Sequence, residues 1–578
     1  MMKAYSIAHS TVPPSSPSPS STQKTPTDPS PAPAPSMAIY ENPILRGFHP
    51  DPSVVRVGSD FFVVTSSFEF FPGVPIYHST DLTSWRLIGH ALTRKSQLDI
   101  RTPEVGGGVW APTIRWHDGV FYVTTACFDR YRPQADDRVW PRGFYVKTTD
   151  IWNSSSWSDP IYFDVAGFDQ DLFWDDDGTA YLSSTHRKAE RTPDMRLKDF
   201  AVHCCSIDLT TGRSTSELRL IRESLQGSGV AEGSHIIKRA NFYYLLTAEG
   251  GTEGGHSEYV SRSAVGPFGP WELGPCNPLW SNGPGDQVQN AGHADLVEDE
   301  NGNWWAVLLA VRPRNGQASV FGRETFLVPM TWTDDDWPVI RGERKIMLQY
   351  EAPGVSVHQH PKQWHDDFCG THLQLGWYRK SKPDCKFNVC TFDISPLDTP
   401  VTEDYSLTER PGQLRLHGGP YTLSSPACPT VFLRKQQHEI MTWETKLSFR
   451  PASKDVEAGA VVYWNNFNYS SIGVRISDST GDRVIRYQPT LGDLIEVQLA
   501  EEVDDVVLLI ESMDEAYRLG FRGTGEVGVR WVGRQDKRTM TSDPSVGAAF
   551  TGMLFGLYAF GRNKPCLQPA DFDYARIY

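Results

Sequence analysis

The chain has 578 residues, and 55 Lys and Arg against 70 Asp and Glu leave a formal charge of -15. A pI near 5.5 is a poor match for nucleic acid or an anionic membrane surface, both of which select basic patches. The longest uninterrupted apolar run, Trp304 to Val311, is eight residues, where a membrane-spanning helix needs about 20.

The first segment does not read as structure. Met1 to Ser36 contains nine Pro and nine Ser, no apolar h-region and no Arg, so residues 1–38 are expected to form a disordered tail. Neither a secretory signal nor a mitochondrial transit peptide is predicted. With the odd cysteine count this points to the cytoplasm; secretion by another route stays open, and Met37 is an alternative start. Beyond the tail, 18 Trp, 22 Tyr and 28 Phe among 48 Gly and 42 Pro favour short strands over long helices. The nine cysteines show no zinc-site spacing and are expected as reduced, mostly buried thiols.

From residue 39 the sequence repeats. A short apolar strand, a turn with Asp, Asn or Gly, and an aromatic-rich strand recur as SVVRVGSDFFVVTSS, TIRWHDGVFYVTTAC, DLFWDDDGTAYLSST, HIIKRANFYYLLTAE and DLVEDENGNWWAVLLA. Their second aromatic positions, Phe62, Tyr122, Tyr181, Tyr244 and Trp305, are spaced by 60, 59, 63 and 61 residues. Asp118-Gly119, Asp177-Gly178 and Asn301-Gly302 carry the signal of a tight hairpin. Five units with room for four strands each predict a five-bladed β-propeller over 39–350. A β-sandwich array is the rival, but it gives no reason for five equivalent copies. The period then stops. Residues 351–364 read as a linker, and 365–578, with IMTWETKLSFR, AGAVVYWNNFNYSSIGVRI and GMLFGLYAF, as a second all-β domain, most simply a two-sheet sandwich.

In a propeller the innermost strand of every blade starts beside the central channel, so equivalent residues gather around one mouth. Counting back 11 or 12 positions from each second aromatic gives Asp51, Trp110, Asp169, Glu232 and His293. Three acids in such a ring suit glycoside hydrolysis. One carboxylic acid protonates the leaving oxygen and one carboxylate activates water, while a third raises the donor's pKa by like-charge repulsion. A Trp offers a flat apolar face to a sugar ring. Taken singly, Asp51 in His-Pro-Asp-Pro equally suits a turn cap, and Asp169 an acceptor for backbone amides. The shared register favours chemistry.

The segments NPILRGFHPDPSVVRVGSDFFVVTSSFEFFPGVPIYHSTDLTSW, GGGVWAPTIRW, GFDQDLFWDDDG, AEGSH with TAEGGT, GHADLVED and GRET resemble glycoside hydrolase family 43. They are most similar to its β-xylosidase-type members with a C-terminal sandwich; LTERPGQLRLHG and LQLGWY resemble that appended, concanavalin-like domain. The resemblance covers about residues 40 to 578. It implies Asp51 as general base, Asp169 as pKa modulator and orienter, and Glu232 as general acid. It also implies inversion at the anomeric carbon, with room for water between base and acid. Phe68 and Trp110 would wall the pocket, Arg323 would hydrogen-bond sugar hydroxyls, and His293 would lie in the channel, beside a cation or water in some relatives. The family more often has a small residue where Asp171 stands. Positions two apart share a strand face, so Asp171 is a rival for the role of Asp169, and Glu249 is a weaker rival to Glu232. His293 as a satisfied core histidine and Arg323 as a structural ion-pair partner stay open.

The expected activity is that of an exo-acting β-xylosidase releasing xylose from the non-reducing ends of β-1,4-xylo-oligosaccharides by single displacement. The alternatives are an α-L-arabinofuranosidase or a bifunctional enzyme and, in another class, a carbohydrate-binding propeller without catalysis. The expected partner is a xylo-oligosaccharide or an arabinoxylan-derived chain, with no nucleic acid and no membrane; a homo-oligomer is left open. No cofactor is obligatory, and a divalent cation such as calcium is admitted near His293.

Overall fold

The computed structural model describes residues 37–98, 100, 105–128, 141–188, 199–224, 226, 229–314, 316–357, 360–381, 404–542 and 550–578. The Pro/Ser-rich tail expected over 1–38 lies, up to residue 36, outside the described residues, as do Cys385 and Cys390. Each repeat supplies the first two strands of an antiparallel sheet: Ser53–Val57 with Asp60–Val64, Gly108–His117 with Val120–Phe128, Phe168–Trp174 with Ala180–Arg187, Ala231–Arg239 with Phe242–Glu249, and Gln289–Glu298 with Trp304–Val311. Further strands complete sheets of four or five, and these are the five blades of a propeller. The apolar run Trp304–Val311 is the second strand of its blade and is buried along nearly its whole length. A strand covered on both faces has no polar side to show, which is why it reads as continuous rather than alternating. No described helix is long and apolar enough to cross a membrane, and no two described cysteines form a disulfide.

The Asp-Gly and Asn-Gly signals mark two kinds of turn. Asp118 and Gly119 both have positive φ, 48° and 80°, as a two-residue type I′ hairpin requires. At Gly178 and Gly302 only the glycine is left-handed, with φ of 83° and 80°. Their amides donate to the Asp175 and Asp299 carbonyls at 2.9 and 3.2 Å, the longer connection in which a type I turn precedes a left-handed residue.

Every inner strand is interrupted at the channel mouth, and the fifth has a second shift before it, between Gln289 and Gly292. After Trp110, Phe168, Glu232 and Gly292, two residues face one on the neighbouring strand, and Pro50, whose carbonyl accepts the Ser66 amide at 3.0 Å, begins the same irregularity in the first blade. The first residue of each pair is left-handed: Asp51 (φ 53°), Ala111 (36°), Asp169 (53°), Gly233 (59°) and His293 (55°). Such a bulge bends the strand and re-aims its side chains. It also corrects the register read from the aromatics. Asp51, Asp169 and His293 are bulge residues, whereas Trp110 and Glu232 each stand one residue before theirs.

Two residues beyond the bulges, Ser53, Asp171, His235 and Asp295 form a buried polar floor around Arg115. The Arg115 guanidinium donates to Asp295 Oδ2 at 2.7 Å and to His235 Nδ1 at 2.9 Å, and its Nε lies 2.9 Å from Asp171 Oδ1. The same acids receive neighbouring blades' amides, Asp295 that of Val54 at 3.1 Å and Asp171 that of Ile236 at 2.9 Å. The floor therefore fastens blade to blade. Burial opposes charge on Asp295, but Arg115 and His235 hold its carboxyl down at about 2. Arg115→Met would leave two buried carboxylates without their cation. We expect it to lose about 3–5 kcal/mol of stability, read by denaturant unfolding at pH 7; a midpoint equal to wild type would refute this role.

The C-terminal part is a sandwich of two sheets, to which it contributes eight and seven strands among the described residues. Trp443, Phe555, Leu557 and Leu508 fill the space between them. One sheet does not end within the sandwich. Its edge strand Tyr378–Lys380 pairs with Phe70–Phe71 of the propeller, Arg379 opposite Phe71 and Lys380 opposite Phe70. Around this join Phe48, Phe68 and Phe70 pack with Tyr378, Val461, Tyr463 and Phe560. Strand Met37–Glu41 pairs with Gln349–Pro353, so the start and end of the propeller segment lie side by side.

Candidate active site

The first inner strand carries Asp51 at its bulge. Asp51 Oδ2 accepts from the Ser66 hydroxyl at 2.5 Å, and Oδ1 accepts from Arg323 Nη1 at 2.9 Å. Arg323 precedes strand Glu324–Trp332, and its Nη1 also donates to Thr252 Oγ1 at 2.9 Å. Next to it Glu324 is fully buried and accepts from Arg312 Nε at 2.6 Å and from the Gly47 amide at 3.0 Å, which fixes the strand that presents Arg323. The pair Asp51–Arg323 is thus both an ion pair and part of the site, and the two readings of Arg323 need not compete.

Asp169, at the third bulge, accepts the Gly233 amide on Oδ2 at 2.9 Å. That amide belongs to the residue after Glu232, so one hydrogen bond ties the third blade to the position of the Glu232 backbone. Burial first, then the negative charges of Glu232 and Asp51, push the Asp169 carboxyl well above the usual aspartate range. The three acids predicted from the sequence therefore act on one another electrostatically, with Asp169 common to both pairs. His293 faces Asp51 with Nδ1 3.8 Å from Oδ1. Burial lowers its pKa to about 3, leaving a neutral imidazole. A Cβ on Gly233 would stand 2.9 Å from the His293 ring, so only glycine fits between the fourth and fifth bulges.

Aromatic rings adjoin the Asp51–Arg323 pair. Trp110 stacks on Phe128 (centroids 4.4 Å apart, 17° between planes) and meets Phe168 edge-on at 5.9 Å. Phe68 lies 6.2 Å from Trp110 and stacks on Phe550 at 5.6 Å and 13°. Phe550 comes from the sandwich. The Arg323 guanidinium lies 5.4 Å from the Phe68 ring and 5.2 Å from that of Phe550. Sequence reasoning missed Ser66, Thr252, Phe128, Phe168 and Phe550. Phe168 stands one residue before Asp169 in the segment already singled out, and Thr252 lies in TAEGGT. Phe550 carries no such signal, because it follows no repeat.

Residues 40–338 match the family described as Glycosyl hydrolases family 43, and residues 392–578 match the one described as Beta xylosidase C-terminal Concanavalin A-like domain. The chain belongs to glycoside hydrolase family 43. It is 34% identical, over 93% of its length and 94% of the relative's, to a non-reducing end alpha-L-arabinofuranosidase of Bacteroides ovatus. To a xylan 1,3-beta-xylosidase of Vibrio sp it is 33% identical, covering 92% of this chain and 98% of that one. The crystal structure of xylan beta-1,4-xylosidase from Bacillus halodurans C-125 superposes with a TM-score of 0.81 at 33% identity, over 93% of this chain and 99% of the other.

In this family 43 glycosidase the rival acids are otherwise engaged. The bulge between Asp169 and Asp171 breaks the two-residue alternation and sends Asp171 to the floor against Arg115. Glu249 is fully buried and accepts from Arg222 Nε at 2.9 Å and Ser224 Oγ at 2.8 Å. The surroundings of His293 do not fit calcium, which takes six to eight oxygens. Asp51 is engaged by Arg323 and Ser66, and among the described residues no three His, Cys, Asp or Glu side chains gather to hold a metal.

The elevated pKa of Asp169 has a thermodynamic sign. An acid raised above its ordinary value of 3.8 binds its proton more tightly folded than unfolded, so stability is lost as pH climbs through that interval. Asp169→Asn removes the loss. We expect the variant to melt above wild type at pH 8, with the gap closing near pH 4, in thermal scans; a variant melting lower at pH 8 would contradict the electrostatic picture.

Proposed function

We propose that this glycoside hydrolase is an exo-acting β-xylosidase that removes xylose from the non-reducing ends of β-1,4-xylo-oligosaccharides by an inverting single displacement. Asp51 activates the attacking water, Glu232 protonates the leaving oxygen, and Asp169 tunes Glu232, because like-charge repulsion leaves one proton between the two carboxyls. The observation that carries this reading is Asp169. It accepts the amide adjoining Glu232 at 2.9 Å and feels the charge of both Glu232 and Asp51, as a modulator between an acid and a base must. Phe68, Trp110 and Phe550 give the terminal sugar apolar faces, and Arg323, Thr252 and neutral His293 offer donors and acceptors to its hydroxyls. A ring from the second domain beside the Asp51–Arg323 pair favours chain ends over internal linkages.

A second reading, α-L-arabinofuranosidase or dual activity, is supported by the Bacteroides ovatus relative. Assays on xylobiose and an arabinofuranosyl-substituted oligosaccharide, with the first-formed anomer read by NMR, separate the two and test inversion in the same tube. Glu232→Gln is expected to lose about 10²–10⁴-fold in kcat on xylobiose but far less on an aryl xyloside, whose leaving group needs little protonation. Near-normal turnover of xylobiose by Glu232→Gln would overturn the assignment of the acid.

A further inference from the structure

Arg323 reaches Asp51 from a loop whose backbone the sandwich crosses at close range, beside Val320 and Phe321 packed in the sandwich core. Residues 320–323 of the propeller cross residues 550–553 of the sandwich. The Met553 amide donates to the Val320 carbonyl at 2.8 Å, and the Phe550 carbonyl lies 3.4 Å from both Nε and Nη2 of Arg323. At the crossing both chains have glycine. A Cβ on Gly322 would stand 2.4 Å from the Thr551 carbonyl oxygen, and one on Gly552 would stand 2.3 Å from that of Phe321. Gly322 is also left-handed, with φ 68°, whereas Gly552 is not among the positive-φ residues. Glycine at 552 is therefore demanded by the approach of the other strand and not by its own conformation.

We infer that Gly552 is a positioning residue of the hydrolase: its missing side chain lets the sandwich backbone set the height of Gly322, and with it the contact of Arg323 with Asp51. The inference rests on Asp51 being the base, as proposed above. An alanine methyl at 552 needs about 1 Å of retreat to reach ordinary van der Waals distance from Phe321. That displacement passes to Arg323, the next residue but one. A shift of this size at a reacting group costs about 10²-fold in rate.

The test is Gly552→Ala in the full chain, assayed on the pentoside that wild type hydrolyses, at temperatures well below each protein's melting point. kcat/KM is expected to fall about 10²-fold, and the acid limb of its pH profile to move to higher pH, because the base has lost part of its cationic partner. Glu444→Gln is the control for mere loosening of the sandwich. Glu444 is buried on the sheet that carries strand Met441–Ser448, where it accepts from Tyr574 and Arg576. That variant should melt lower with its acid limb in place. An unmoved limb in Gly552→Ala, or an equal shift in Glu444→Gln, overturns the inference. Should Gly552→Ala not fold, Arg314→Ala decides. Arg314 is half-exposed on the same loop and pairs with Glu439 and Asp514 of the sandwich; a smaller shift in the same direction supports the inference and none overturns it. Wild-type protein inactive on both pentosides would instead sink the reading of Asp51.

Discussion

A single irregularity, repeated five times, carries the candidate active site. Each inner strand inserts one extra residue at the channel mouth and turns it left-handed. Without that step a strand would alternate strictly, and residues two apart would share one level. With it, Asp51, Asp169 and His293 rim the mouth, while Asp171, His235 and Asp295 drop to a floor around Arg115. A left-handed non-glycine residue costs of order 1–3 kcal/mol. Four of the five positions bear it, at Asp51, Ala111, Asp169 and His293. Strain of this kind persists only where the surroundings over-determine it. Amides at or beyond three of these four bulges are held: Asp295 receives Val54, the Ser66 and Ser53 hydroxyls receive Ala111 and Ile114, and Glu258 receives Ala294.

The two tiers handle charge in opposite ways. On the floor Arg115 balances two carboxylates, and the result is a fixed, blade-joining network. At the rim Arg323 pairs with Asp51 and opposes the rise of Asp169 only as a minor influence. Asp169 has no ion-pair partner among the described residues and keeps a raised pKa between two other acids. A charge left unbalanced inside a protein is costly, and that cost is why the Asp169 carboxyl holds its proton above the usual aspartate range. The same residue types one pleat apart are therefore fully paired below and leave a carboxyl with a raised pKa above.

The second domain belongs to the site as well as to the fold. Its sheet takes in Phe70–Phe71, which directly follows the segment bearing Phe68, and its loop delivers Phe550 and the glycine crossing beneath Arg323. Three separate contacts, a strand pairing, a ring stack and a backbone crossing, thus converge on the two propeller segments nearest Asp51. Moving the sandwich relative to the propeller would disturb all three together.

Read alone, the residues already determined a great deal. The period of about 60 residues, the hairpin turns and the loss of period near residue 350 are local features, and local features are what hydrophobic spacing and turn chemistry encode; the five blades and the following sandwich come from them. The rim acids were legible because a repeat carries equivalent positions to equivalent places. Their register was off by one for Trp110 and Glu232, since the longer turns of the third and fifth hairpins put one more residue between bulge and aromatic than the other three do. Aligning the copies on their first residues, Ser53, Thr113, Asp171, His235 and Asp295, would have kept it, because those sit at one level below the bulges. Tertiary structure alone decided that Asp171 belongs to Arg115, that Glu249 belongs to Arg222, and that Phe550, nearly 500 residues from Asp51 in the chain, stacks on Phe68 beside Arg323. Those choices depend on which side chains meet across blades and domains, and no spacing along one strand contains that information.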